Sequence, residues 1–112
     1  MDEYCIMEIL VTTFLLLLAA HWLADYPLQG DFLAKAKQSG PLRIYHLIAH
    51  AGIHAGAVTI VTGSVVLGIF EWVAHTIIDE LKIRGKTTFA IDQALHVICK
   101  IVYIIVLGTN LV

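Results

Sequence analysis

Four pairs of polar residues, His21 and Asp25, His50 and His54, His75 and Asp79, and Asp92 and His96, recur at a spacing of four inside long apolar runs. Residues i and i+4 lie one above the other on a helix face, so each pair is a two-pronged ligand or proton-relay unit. An ionisable side chain facing lipid at a helix centre costs about 2.5 to 3.5 kcal/mol on insertion scales. The pairs therefore call for an interior shared by several helices. His46 completes the set of six histidines.

The runs that hold these pairs dominate the chain: 59% of its 112 residues are hydrophobic, 14% are charged, and the mean hydropathy is +0.84. Such a balance belongs to a single integral membrane domain spanning residues 1–112, not to an ordinary soluble one. Six of the seven Lys and Arg residues fall in two short segments, Lys35 to Arg43 and Lys82 to Lys86. So few cations give no nucleic-acid-binding surface. Cys5 and Cys99 lack Cys-x-x-Cys spacing, so neither a disulfide framework nor a thiolate metal knuckle is indicated. The start, Met1-Asp2-Glu3-Tyr4, is acidic and lacks the positive region of a cleaved signal peptide, so the first apolar run is expected to be retained as an anchor.

A hydrocarbon core of about 30 Å takes about 20 residues of helix. Four segments approach that length, at about 4–25, 42–61, 65–83 and 89–111. Pro27 and Gly30 end the first. Asp31 then caps a short amphipathic helix, with Phe32, Leu33 and Ala36 expected toward lipid and Lys35 and Lys37 toward water. Ser39-Gly40-Pro41 starts the second span, with Pro41 suited to its first turn. Thr62-Gly63-Ser64 is the only break in a long apolar stretch and predicts a tight hairpin. Gly85 ends the third span, and Thr87 or Thr88 caps the fourth. The fold class expected is all-α: a four-helix transmembrane bundle of up-down topology, with a short amphipathic helix between spans one and two. Both basic segments then lie in the cytoplasmic loops of a multi-pass cell (inner) membrane protein, and both termini lie outside.

This topology brings the polar residues to one end. Counting inward by turns of about 5.4 Å gives a shallow layer of Asp25, His46, Asp79 and Asp92, then His21, His50, His75 and His96, and deeper still His54, Glu71 and Lys100. Glu71 and Lys100 are expected to form a buried ion pair beneath the histidines. Gly52 and Gly56 lie opposite the His50 and His54 face and suit a close approach by another helix or a second copy of the chain.

Imidazoles and carboxylates converging from facing helices suit divalent first-row metals. Three Asp and up to six His exceed the four ligands of one tetrahedral ion, so one or two ions per chain are expected, zinc before iron or manganese. The expected ligands are His21, His50, His75, Asp79 and His96. Asp25 and Asp92 serve as ligand, bridge or general base. Gln29, His46, His54, Glu71, Gln93 and Lys100 support them. Gln29 either orients Asp25 or caps the helix end, and Trp22, Tyr26, Tyr45 and Trp72 read as interface anchors or core.

The motifs His21-Trp22-Leu23-Ala24-Asp25-Tyr26-Pro27-Leu28-Gln29, Lys35 or Lys37, His50, His75-Thr76-Ile77-Ile78-Asp79 with Lys82, and Asp92-Gln93-Ala94-Leu95-His96 together resemble a bacterial and phage membrane family known as domain of unknown function 3307. The resemblance covers about residues 15–100 and implies the same membrane fold, but no established activity. The element from His75 to Asp79 is also similar to one in bacterial membrane proteins predicted to be metal-dependent hydrolases.

The function expected is metal-dependent hydrolysis of a substrate reaching the site from the inner leaflet or the cytoplasm, a lipid or a phosphate ester. Two other classes use the same residues. A proton or metal-ion transporter would need polar groups continuing to the outer side, where only Glu8, Thr12 and Thr13 are found. A holin-like structural protein would use the histidines for packing alone. Within the enzyme class, a di-iron oxidase acting on acyl chains would suit the His50-x-x-x-His54 pair.

Overall fold

The computed structural model describes residues 1–111. The chain is all-α: α1 (Glu3–Asp25), α2 (Gly30–Ala36), α3 (Arg43–Thr62), α4 (Val65–Ile83) and α5 (Phe89–Leu111). Local chemistry sets the ends. The Asp2 carboxylate accepts from Cys5 N–H at the start of α1, which holds its pKa below the ordinary carboxylate value. Gly63, at φ +70°, closes α3, and Ser64 Oγ accepts from Leu67 N–H to open α4, so the predicted hairpin is a two-residue turn. Thr88 Oγ1 accepts from Ile91 N–H and caps α5. Two boundaries differ from expectation. α3 starts at Arg43 with Leu42 before it, so Pro41 precedes the first turn, and Asp31 lies inside α2, which Gln29 precedes.

Three helices are long and apolar enough to cross a membrane: α1, α3, and α5 over Phe89–Asn110. Four had been expected. α4 matches them in length at 19 residues, but Glu71, Asp79, Glu80 and Lys82 take it out of that class.

The four long helices contact one another around a ring, α1 to α3, α3 to α4, α4 to α5 and α5 to α1, within an envelope of 52 × 23 × 22 Å. Leu10 meets Gly108 while His21 meets Gln93, and Glu71 meets Lys100 while Asp79 meets His96. At one end Leu17, Val58, Leu67 and Tyr103 form an apolar core. At the other the interior is polar.

The outward faces are apolar almost everywhere: Leu15, Leu16, Ile60, Val66, Ile69, Phe70 and Ile105 are exposed, as is Glu8 near the start of α1. A surface of that kind is stable in lipid and associates in water. Gly68 lets α4 approach α3, since a Cβ there would overlap Thr59 Oγ1 and press on Ala55 O. Gly52 lies against the Trp72 ring of the same chain, and Trp72 Nε1–H donates to Ile48 O at 3.0 Å. Gly56 faces open space.

Candidate metal centre

Each long helix delivers its polar pair to the same interior. Five histidines, His21 from α1, His50 and His54 from α3, His75 from α4 and His96 from α5, are buried in mutual contact. His54 stacks on His75 at a centroid distance of 3.7 Å, and His75 on His96 at 4.1 Å. His21 lies 5.0 Å from His54 and 5.1 Å from His96.

All five rings turn Nε2 toward carboxylates, and there are two foci. At the first, Asp25 faces Nε2 of His54 at 2.9 Å, His21 at 3.2 Å and His50 at 3.4 Å. At the second, Asp79 faces Nε2 of His96 at 3.2 Å, His50 at 3.5 Å and His75 at 3.6 Å. Asp92 adds a third carboxylate, 3.6 Å from His96 Nε2. His50 stands between the two foci. These separations match the ligand–ligand edges of a metal polyhedron: bonds of about 2.1 Å give tetrahedral edges of about 3.4 Å. Three sets of side chains hold donor atoms within 4.8 Å of one another: Asp25, His50, His54 and His75; His21, His75 and His96; and Asp79, Asp92 and His96. Each can hold a metal ion.

Hydrogen bonding alone leaves this cluster unsatisfied. Both ring nitrogens of His50 and of His75 lack a hydrogen-bond partner, as does Asp92 Oδ1, and all three residues are at most 1% exposed. A neutral imidazole carries one donor and one acceptor, and leaving either unpaired in an interior is costly.

Beneath the histidines, Glu71 accepts two hydrogen bonds from Lys100 Nζ, at 2.9 and 3.1 Å, and one from Tyr103 Oη at 3.2 Å. The ion pair is therefore where the sequence puts it. Glu71 Oε2 also lies 3.6 Å from His75 Nδ1.

Of the other residues singled out from sequence, Gln93 takes part directly: its Oε1 lies 3.2 Å from His21 Nε2, and its Nε2 donates to Asp92. Gln29 donates to the Asp25 main-chain carbonyl and so caps the end of α1. His54 belongs among the histidines, not in the layer below. His46 stands apart, its ring edge-on to Phe32 at 5.4 Å. His54 reaches Asp25 of α1 at 2.9 Å, and Arg43 at the start of α3 pairs with Glu80 near the end of α4 at 2.6 Å.

Two residues went unassigned in the sequence. Lys37, expected to face water, is buried and donates to Asp79 Oδ2 at 2.9 Å, because α2 folds back against α3 and carries its last turn over the end of the bundle. Its place beside Lys35 in the family motif was the available signal. Tyr103 extends the α5 stripe of Asp92, His96 and Lys100 by one more turn.

A cavity of about 100 Å³ leads to the cluster, lined by Asp25, Asp79 and Asp92 with Lys37 and Lys82, Gln29 and Gln93, and Tyr26 and Phe89 at its edge.

A family model described as "Protein of unknown function (DUF3307)" matches residues 13–112. No curated protein and no solved structure matches the chain.

Proposed function

Since this chain belongs to the DUF3307 family, whose function is unknown, its activity has to be read from its own side chains, and we propose that it is an integral membrane, metal-dependent hydrolase. The observation that carries this reading is the convergence of five Nε2 atoms on Asp25 and Asp79 at 2.9 to 3.6 Å.

All four long helices cross the bilayer as an up-down bundle in this reading. α4 does so despite its charges because Glu71 and Asp79 are buried inward while Glu80 and Lys82 lie in its last turn. The basic segments around Lys35 to Arg43 and Lys82 to Lys86 face the cytoplasm of a cell (inner) membrane, and both termini face outside.

Asp25, His50, His54 and His75 would hold one divalent ion and Asp79 with His96 a second, with Asp92 beside it and His21 facing Asp25. Zinc is the preferred ion for this donor set, ahead of iron or manganese. Such ions lower the pKa of a bound water to about 7 and so supply a nucleophile at neutral pH. Asp92 faces the cavity with Oδ1 unpartnered and would take the proton from an entering water. Gln93, tied to both His21 and Asp92, holds those two side chains in place. A transport path would have to continue past Lys100, where Leu17, Val58 and Leu67 close the interior with hydrocarbon.

Metal content of the detergent-purified protein, measured by inductively coupled plasma mass spectrometry beside a folded His50→Ala, Asp79→Ala variant, tests the proposal. One or two equivalents in the parent, lost in the variant, support it. Absence of metal from both after reconstitution would sink it. Hydrolysis of a chromogenic phosphate ester by the metal-loaded protein, abolished by chelation and restored by the ion, tests the reaction class.

A further inference from the structure

The proposed centre opens onto the cavity among Asp25, Asp79, Asp92, Lys37 and Lys82, and the chemistry of this entrance narrows what can enter. We propose that it is a phosphoryl-binding subsite, taking the dianionic end of a phosphomonoester between the metal centre and the ammonium groups of Lys37 and Lys82. The inference rests on the metal reading above.

Charge is the first argument. Three carboxylates and two ammonium groups line the cavity, a net of one negative charge. Two divalent ions reverse it to three positive. A net charge of that size in a largely buried site is costly unless compensated. A metal-bound hydroxide removes one charge, and a phosphomonoester, whose second pKa is about 6, removes the other two at neutral pH. A neutral ester or amide would leave the excess in place.

The donors are the second argument. Lys37 is held in the entrance by one bond to Asp79 Oδ2, leaving two of its three ammonium protons for a ligand. That bond also leaves Asp79 Oδ1, the oxygen facing His75 and His96, for a metal. Lys82 reaches in from the rim: its Nζ lies 3.8 Å from Asp92 Oδ2 and 5.5 Å from the centre of the Phe89 ring, and its side chain is 37% exposed. One lysine is fixed at the back and one is free to close from the front. Asp92 Oδ1 and Gln29 Oε1, both buried and unpartnered, are acceptors suited to a hydroxyl or water beside the phosphoryl group.

The volume is the third. About 100 Å³ has room for a phosphate group with its waters, and a larger ligand would extend past Tyr26 and Phe89 at the mouth. Both residues are strongly exposed at the mouth of the cavity.

Inorganic phosphate and manganese are the probes. Manganese-loaded protein in detergent should broaden the ³¹P resonance of phosphate saturably, and a Lys82→Gln variant should weaken that binding by about tenfold or more with its manganese content unchanged. Lys37→Gln should do the same, but Lys82 is the safer test because its side chain is partly in solvent. Glycerol 1-phosphate in solution, and phosphatidic acid against phosphatidylcholine in nanodiscs, then separate the sources. Displacement by the soluble ester assigns a cytoplasmic substrate, displacement by phosphatidic acid alone assigns a lipid, and either supports the subsite. Bound manganese without phosphate broadening, or broadening equal in parent and Lys82→Gln, overturns it and leaves the metal proposal standing. Failure to bind manganese, zinc or iron removes both.

Discussion

Replacing Lys100 by Met should be among the most destabilising single changes in this protein. The Glu71 carboxylate is 1% exposed and accepts three hydrogen bonds, two from Lys100 and one from Tyr103. Lys100→Met removes two of the three and the only full positive charge on that carboxylate. Breaking a buried pair from one side costs about 3 to 5 kcal/mol, because the remaining charge stays desolvated. Glu71→Leu strands the ammonium group in the same way. The double variant Glu71→Leu, Lys100→Met removes both charges and should cost no more than about 1 kcal/mol, as apolar replacements of buried pairs often do. Reversible unfolding in mixed micelles, followed by the fluorescence of Trp22 and Trp72, gives the three free energies and hence the coupling, expected to exceed about 2 kcal/mol. A Lys100→Met cost below about 1 kcal/mol would refute the reasoning. So would a double variant as unstable as the two singles added together. The same double variant carries a second readout. Glu71 Oε2 is 3.6 Å from His75 Nδ1, so losing the carboxylate should weaken metal binding by about tenfold through a less firmly oriented His75, even where stability is recovered.

Two further outcomes follow from the packing. Gly68→Ala should destabilise by about 1 to 3 kcal/mol, since the new methyl overlaps Thr59 Oγ1 and crowds Ala55 O, and Thr59→Ala in the same chain should restore part of that loss; Gly56→Ala, into open space, is the matched control in the same unfolding assay. His54→Ala should lower metal stoichiometry or affinity, whereas His46→Ala, whose ring touches Phe32 and Tyr45 instead of the cluster, should leave metal content unchanged by mass spectrometry.

The division between those two histidines shows where the sequence was legible and where it was not. The i, i+4 spacing identified which residues share a face, and the loop signals at Thr62-Gly63-Ser64 and Gly85 placed the helix ends closely enough to bring His21, His50, His75 and His96 together. Depth along the bundle was another matter. It depends on how far each helix slides past its neighbour, and the contact that brings His54 of α3 level with Asp25 of α1 joins distant residues that no local pattern relates. Lys37 escaped for a related reason: the amphipathic pattern of α2 describes an isolated helix at an interface, but its last turn is folded over the carboxylates, where the Lys37 ammonium donates to Asp79. The excess charge on α4 was plain in the sequence. Its inward disposition is a property of the assembled helices.

The unpartnered nitrogens bear on the choice between a packing device and a working site. A bundle selected only to stay assembled can satisfy its buried polar atoms, as Glu71, Lys100 and Tyr103 do one turn below. His50 and His75 do not, although each is completely buried, and each unpaired ring nitrogen carries a penalty of about 1 to 3 kcal/mol. The two Nε2 atoms, the ones an ion at Asp25 or Asp79 would reach, together account for about 2 to 6 kcal/mol, a large share of a domain's stability of about 5 to 15 kcal/mol. Stability would be better served by leucine at both positions. Two imidazoles there, with Nε2 directed at Asp25 and Asp79 across gaps that match the edges of a coordination shell, are what the proposed metal centre accounts for, since an ion would repay that penalty. His50→Leu, His75→Leu should therefore raise the unfolding free energy of metal-free protein while abolishing its metal binding. A loss of stability in the metal-free state would show instead that these rings are there to pack.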